Sequence, residues 1–75
     1  MRAMYQIMSQ TNGGEARVLF TSTRKSDTER YFNSLRRDHK RVKSNAVRDV
    51  RTGYFTVSFF TGLSIIETEF WICKA

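Results

Sequence analysis

The chain has 75 residues, of which 40% are hydrophobic and 13% aromatic, and it carries a formal net charge of +6. This apolar content excludes an intrinsically disordered chain, and the length allows one domain over residues 1–75. The single cysteine, Cys73, excludes an internal disulfide and a cysteine-based zinc cluster. No stretch has the ~20 apolar residues of a membrane span and the N-terminal segment lacks a signal-peptide pattern, so we predict a reducing, cytoplasmic location without membrane contact.

The first two predicted strands, at about residues 3–10 and 15–23, flank a tight turn. Asn12-Gly13 supplies the positive φ angles that a two-residue hairpin turn requires. In the second strand, Val18 and Phe20 alternate onto one face. We therefore predict a β-hairpin that directs Val18 and Phe20 into the core.

A helix is predicted at about residues 27–40. Ser26 and Glu29 have the spacing of a capping box, in which the two side chains satisfy free backbone N–H groups at the start of a helix. Phe32 and His39 fall within one apolar arc of this helix. We expect the arc to pack on the sheet, with His39 as a packed side chain.

Three further strands are predicted at about residues 43–51, 54–60 and 64–73. Gly53 and Gly62 mark the turns between them, and alternating apolar residues indicate one buried face. Short turns between consecutive strands favour antiparallel pairing. The sequence thus predicts an α+β fold, a single small domain in the order β-β-α-β-β-β, with a mainly antiparallel twisted sheet and one helix packed on one face. The predicted core consists of Val18, Phe20, Phe32, Leu35, Phe55, Val57, Phe59, Ile66, Phe70 and Ile72.

The sequence predicts neither catalysis nor a cofactor. Its only histidine lies in the apolar arc of the helix, and Glu67 and Glu69 form a carboxylate pair on one side of a strand. Such a pair can share a proton or bind a metal, but no further acidic cluster joins it. Neither a Gly-x-Ser-x-Gly elbow nor a phosphate-binding glycine loop is present. We therefore predict a non-enzymatic protein with no metal or cofactor.

The positive charge is concentrated in the middle of the chain. Residues 24–51 contain ten lysine or arginine residues against four acidic ones, which equals the whole excess of six. On a helix, Arg37 and Arg41 are i, i+4 neighbours, and such a like-charge pair costs about 0.2–0.5 kcal/mol. This arrangement favours a partner that neutralises the cations, and a solvated helix surface is the alternative. The predicted contact residues are Arg30, Asn33, Arg36, Arg37, Lys40, Arg41, Lys43, Arg48 and Arg51.

The side of the sheet away from the helix is predicted to carry a second surface. Alternation along the strands places Tyr54, Phe60, Ile65 and Trp71 on that side. Two glutamates share it and would repel phosphate groups. An apolar patch bordered by acids favours a protein partner or a homodimer.

Two functions are compatible with these features. The first is a small binding protein that uses the basic helix face to contact the backbone of DNA or RNA. The alternative is an inhibitor or adaptor of the kind that phages and mobile elements encode, which would bind a host protein or nucleoprotein complex through the same basic surface. The alternative follows from the small size and the lack of catalytic residues, whereas the first follows from the charge itself.

Overall fold

The structure is a computed structural model that describes residues 3–75. It has five strands and one helix in the order predicted from the sequence. The predicted α+β fold, with an antiparallel sheet and a single helix on one face, is confirmed. The elements are β1 (Tyr5–Thr11), β2 (Arg17–Ser22), α1 (Lys25–Arg41), β3 (Asn45–Arg51), β4 (Tyr54–Phe60) and β5 (Ile65–Lys74).

The sheet has the strand order β2-β1-β5-β4-β3, and every neighbouring pair is antiparallel. Three of the four pairings join strands that follow each other in the chain, as short turns require. The fourth joins the two ends of the chain, because β1 pairs with β5 from Tyr5 opposite Lys74 to Thr11 opposite Thr68. Strand β5 therefore lies at the centre of the sheet and connects its two halves.

The turn between β1 and β2 has the backbone that its sequence predicts. Asn12 and Gly13 both adopt positive φ angles, of 49° and 72°. Asn12 also holds this turn against β5, since its backbone N–H donates to the Glu67 carbonyl and its side-chain oxygen accepts from the Glu67 N–H, both at 2.8 Å. The turn is thus fixed to the middle of the sheet by a residue that the tight reversal already needs.

Both outer strands contain a β-bulge. The register between β1 and β2 shifts after Ile7, which is opposite Phe20, so that Met8 is opposite Val18. The register between β3 and β4 shifts between Asp49 and Arg51. An extra residue in a strand breaks the alternation of its side chains between the two faces. Residues on either side of each bulge therefore face differently from what a period of two predicts.

Helix α1 begins at Lys25 and not at the predicted position. Its N-cap is Arg24, which makes no side-chain capping hydrogen bond, so the predicted capping box at Ser26 is wrong. The short connection from β2 starts the helix early and puts Ser26 inside the first turn. The buried Thr28 instead donates its hydroxyl to the Arg24 carbonyl at 3.0 Å, which satisfies the one polar group of this turn that is removed from water.

The helix runs over one face of the sheet from β2 towards β3. At the β2 side, Tyr31 stacks on Phe20 with ring centroids 4.4 Å apart. At the β3 side, the Asn45 side-chain amide donates to the His39 carbonyl at 3.3 Å. Between these ends, Phe32 packs edge-on against Phe55. The buried core consists of Ile7, Phe32, Phe55, Val57 and Phe70, with Phe20, Leu35, Val47 and Ile72 partly buried around it.

The predicted core is wrong at three positions and omits Ile7 and the partly buried Val47. Val18 is 51% exposed, because the bulge in β2 turns it away from the face that carries Phe20. Phe59 and Ile66 are exposed, because β4 and β5 continue past the end of the helix that covers their neighbours. Ile7 was not among the predicted core residues, yet it is fully buried between Phe20 and Ile72.

Candidate nucleic-acid interface

Three arginines form a row along the solvent side of α1. Arg30, Arg37 and Arg41 are seven and four residues apart, which places them within an arc of about 40° at axial spacings of about 10 Å and 6 Å. All three are exposed, and they lie opposite the buried Phe32. We call Arg30, Arg37 and Arg41 the basic stripe.

The basic stripe has no acidic partner. In residues 3–75, ion pairs within 4.0 Å are formed by Lys25 with Glu29, at 3.9 Å, and by Arg36 with Asp49. Asn33 and Lys40 are also exposed and lie on the β3 side of the stripe. The helix therefore presents a cationic surface whose charges are left to water and to any anion that approaches.

Arg36 is the exception among the predicted helix cations, because it connects the helix to the sheet. Its Nε donates to Asp49 Oδ1 at 2.6 Å, and its terminal nitrogen donates to Oδ2 of the same carboxylate. These hydrogen bonds lower the pKa of Asp49 and raise the pKa of Arg36, with the charge of Lys40 adding to the effect on Asp49. Arg36 is thus paired within the protein, and the positive charge of Lys40 is close enough to act on Asp49 as well.

The remaining predicted cations lie away from the basic stripe. Lys43 is exposed in the turn between α1 and β3. Arg48 is opposite Thr56 on the sheet face that the helix does not cover. Arg51 lies on the same uncovered face after the bulge, with its guanidinium 5.2 Å from the centre of the Tyr54 ring. The structure therefore divides the nine predicted residues between the helix with its following turn and the opposite side of the sheet.

The uncovered sheet face carries an aromatic pair. Tyr54 and Trp71 are directly opposite each other on β4 and β5, and their rings stack with centroids 6.2 Å apart. Partial burial raises the pKa of Tyr54, and the nearby Glu69 carboxylate raises it further. Phe60 and Ile65 are also opposite each other, but they lie about 20 Å farther along the strands. The four predicted patch residues thus form two separate pairs.

Sequence analysis did not identify the exposed end of the β4–β5 hairpin as a unit. Its apolar side chains project beyond the helix, and Leu63 at the turn is fully exposed. A signal was present in the sequence, since residues 54–66 contain no charged residue. We call this group the apolar tip; it consists of Phe59, Phe60, Leu63, Ile65 and Ile66.

No grouping in the described part of the chain resembles a metal centre. Residues 3–75 contain no cluster of three or more histidine, cysteine or acidic side chains that could hold an ion. His39 packs against the aromatic core, with its ring 5.1 Å from that of Phe70. No helix within residues 3–75 has the length and apolarity needed to cross a bilayer.

Comparison with known proteins adds no further assignment. The chain matches no protein-family model, and neither the curated proteins nor the solved structures include a significant match.

Proposed function

We propose that this protein binds nucleic acid by laying the basic stripe of α1 along a sugar-phosphate backbone. The observation that carries the proposal is the row of exposed arginines at positions 30, 37 and 41, none of which has an acidic partner within 4.0 Å. Lys40 and Lys43 extend this row at the C-terminal end of the helix. A chain that only needed a solvated helix would gain stability by alternating charge signs along this side.

The expected affinity comes mainly from the release of counterions. Each phosphate that a cation neutralises contributes about −0.9 to the slope of log K against log salt for duplex DNA and about −0.7 for a single strand. The three arginines of the stripe with Lys40 and Lys43 give five cations, hence a slope of about −4.5 for a duplex. Raising salt from 50 to 200 mM would then weaken binding by roughly 500-fold.

Arginines at these positions favour contact with the sugar-phosphate backbone over recognition of a base sequence. A guanidinium can donate two parallel hydrogen bonds to one phosphate, and neighbouring phosphates can be met by residues on one side of a helix. Asn33 lies between Arg30 and Arg37 along the helix and adds an uncharged donor and acceptor to the surface. We therefore propose contact with the phosphate chain as the main source of affinity, with no commitment to a base sequence.

The test uses a charge-reversal variant and a control with the same net charge. Arg37→Glu combined with Lys40→Glu changes the stripe region, whereas Arg17→Glu combined with Lys74→Glu makes the same change of charge on the sheet. We expect the helix variant to lose at least about tenfold more affinity than the control for duplex and single-stranded oligonucleotides, and to have a shallower salt slope. Circular dichroism establishes that both variants are folded.

Two results would contradict the proposal. The first is equal loss of affinity in the helix variant and the control, which would mean that net charge and not the stripe governs binding. The second is an unchanged salt slope in the helix variant. A pull-down from nuclease-treated lysate that retains a protein partner, combined with no oligonucleotide binding, would favour the inhibitor or adaptor function instead.

A further inference from the structure

The apolar tip is a narrow ribbon with apolar side chains on both of its faces. Phe59 is opposite Ile66 on one face, Phe60 is opposite Ile65 on the other, and Leu63 stands at the turn between them. Phe60 is 66% exposed and Leu63 is fully exposed. Two strands lie about 4.8 Å apart, so the tip is a thin projection and not a flat patch.

The turn at the end of the tip is held by hydrogen bonds between Thr61 and Ser64. The Thr61 backbone N–H donates to the Ser64 carbonyl at 3.0 Å, and the Ser64 N–H donates to the Thr61 hydroxyl at 3.1 Å. Gly62 between them adopts a φ of 93°, which favours glycine. These hydrogen bonds hold the turn in one conformation, so the tip is preorganised.

Flanking strands support only the base of the tip. On one side, pairing with β1 and its turn ends at Asn12, which is bonded to Glu67. On the other side, pairing with β3 ends where Asn45 is opposite Phe59. The residues from Phe60 to Ile65 thus project beyond the rest of the sheet, in agreement with the long axis of the molecule, which measures 48 Å against 25 and 18 Å.

Cations of the proposed interface lie beside the base of the tip on the helix side, whereas the acidic Glu67 lies at its base on the uncovered face. The turn after α1 is joined to β3 by the hydrogen bond from the Asn45 side chain to the His39 carbonyl. Lys43 is only two residues from Asn45, which places its Cα on the order of 10 Å from Phe59 at the base of the tip. A phosphate backbone that contacts Arg41 and Lys43 would therefore pass next to the projecting apolar side chains.

The shape of the tip distinguishes among possible occupants. An amphipathic helix that lies in a membrane interface has one apolar and one polar face, whereas this ribbon has apolar side chains on both faces. The five side chains expose on the order of 500 Å², which is less than the ~800 Å² per partner of a standard stable interface, so a second copy is not held by the tip alone. A thin apolar wedge beside cations is the arrangement by which DNA-bending proteins part a base step.

We propose that the apolar tip inserts between base pairs of duplex DNA and kinks it, while the basic stripe holds the backbone. This inference rests on the proposed nucleic-acid function and names duplex DNA as the ligand. Phe60 and Leu63 are the inserting side chains, because they are the most exposed members of the tip. Steps that unstack easily, such as TpA, are the preferred points of entry.

The experiment measures DNA distortion and DNA binding separately. The probe is a duplex of about 20 base pairs with central TpA steps, carrying 2-aminopurine beside one step and a donor and acceptor dye at its ends. The variant is Phe60→Ala with Leu63→Ala, and the control is Val18→Ala with Leu19→Ala, which removes exposed apolar side chains from the distant strand β2. Because all four side chains are exposed, both variants should fold.

We expect the wild-type protein and the control to bend the duplex by about 20–90° and to raise 2-aminopurine fluorescence. The tip variant should lose most of both signals, while its affinity changes by less than about tenfold and its salt slope stays the same. Distortion by the tip variant equal to that of wild type overturns the proposal. Binding by wild type without distortion also overturns it, and leaves the backbone-binding function intact.

Other outcomes separate the two proposals further. No duplex binding by wild type overturns both the proposed function and this inference. Tip-dependent binding to anionic vesicles, or tip-dependent self-association in sedimentation, without DNA distortion overturns the wedge and assigns the tip to that occupant instead.

Discussion

Ile7 and Val18 provide the sharpest test of how the chain packs. Alternation in the sequence places Val18 in the core, whereas the structure buries Ile7 completely and leaves Val18 51% exposed. Ile7 lies in β1, directly opposite Phe20 on one side and Ile72 on the other. Removing part of its side chain leaves a cavity that three strands and the helix enclose, whereas trimming Val18 leaves none.

The expected changes in the free energy of unfolding follow from how deeply each side chain is buried. A chain of 75 residues has a stability of about 4–11 kcal/mol, and a buried Ile→Ala change costs about 2–5 kcal/mol, which could remove most of it. Ile7→Val is therefore the better variant, with an expected cost of about 0.5–1.5 kcal/mol. Since 1 kcal/mol shifts Tm by about 4–8 °C in a domain of this size, we expect a Tm lower by about 5 °C. Val18→Ala should change stability by less than about 0.5 kcal/mol.

Urea unfolding followed by Trp71 fluorescence, with a thermal scan by circular dichroism, measures both variants. The slopes of the urea transitions should match that of wild type, which makes the midpoints comparable. If Val18→Ala destabilises the protein as much as Ile7→Val does, the bulge in β2 is wrong and Val18 faces the core. A neutral Ile7→Val would likewise contradict the assigned packing.

Two further predictions concern the titrating groups. Asp49, whose ordinary pKa of 3.8 is lowered by its hydrogen bonds to Arg36, contributes stability that is present above that value and is lost as pH falls through the lower folded-state pKa. Wild type should therefore be more stable than Asp49→Asn at pH 7 in urea unfolding, and the difference should shrink as pH falls below 3.8; a difference that stays constant over that range would contradict this. Spectroscopic titration of Tyr54, identified by its loss in Tyr54→Phe, should give a raised pKa that Glu69→Gln brings down only in part, because burial is the larger cause. A full return of the Tyr54 pKa to its ordinary value would assign the whole effect to the carboxylate.

Local patterns were sufficient to predict the element order and the antiparallel sheet. Asn12-Gly13 marks a tight turn by its backbone preference, and the alternation of residues 54–60 marks a strand with one buried face. Such features depend only on neighbouring residues. The order of elements follows from them, because short turns leave few alternatives to antiparallel pairing.

These local patterns could not predict the bulges or the strand order. One extra residue in β2 reverses the direction of Val18 relative to Phe20, and nothing in the local composition marks it. Ile7 is buried because β1 lies inside the sheet, between β2 and β5, which residues 3–10 alone do not reveal. An interior strand whose two faces are both partly covered has a mixed sequence of apolar and polar residues, and β1 is such a strand.

The candidate site likewise has features that the sequence predicts and features that only the fold determines. Arg30, Arg37 and Arg41 could be assigned to one exposed side of the helix from its period alone. The same period puts Arg36 nearer to Phe32 than to these arginines. Its ion pair could not be predicted, because the partner Asp49 is on a strand whose position depends on the register of the whole sheet. Ion pairs between distant residues depend on the fold. The sequence therefore predicts how many cations the helix carries, but not which of them lack an acidic partner.

The central position of β5 determines when this protein can fold during synthesis. Ile7 on β1 and Phe55 on β4 belong to one core, but they are held together by residues of β5, which the ribosome makes after both. Until that strand emerges, no strand joins the β1–β2 hairpin to β3 and β4, and α1 is the element that can contact both. The pairing of β1 with β5 joins residues 57–69 positions apart, and such non-local pairing slows folding. The complete sheet can therefore form only after β5 has been translated.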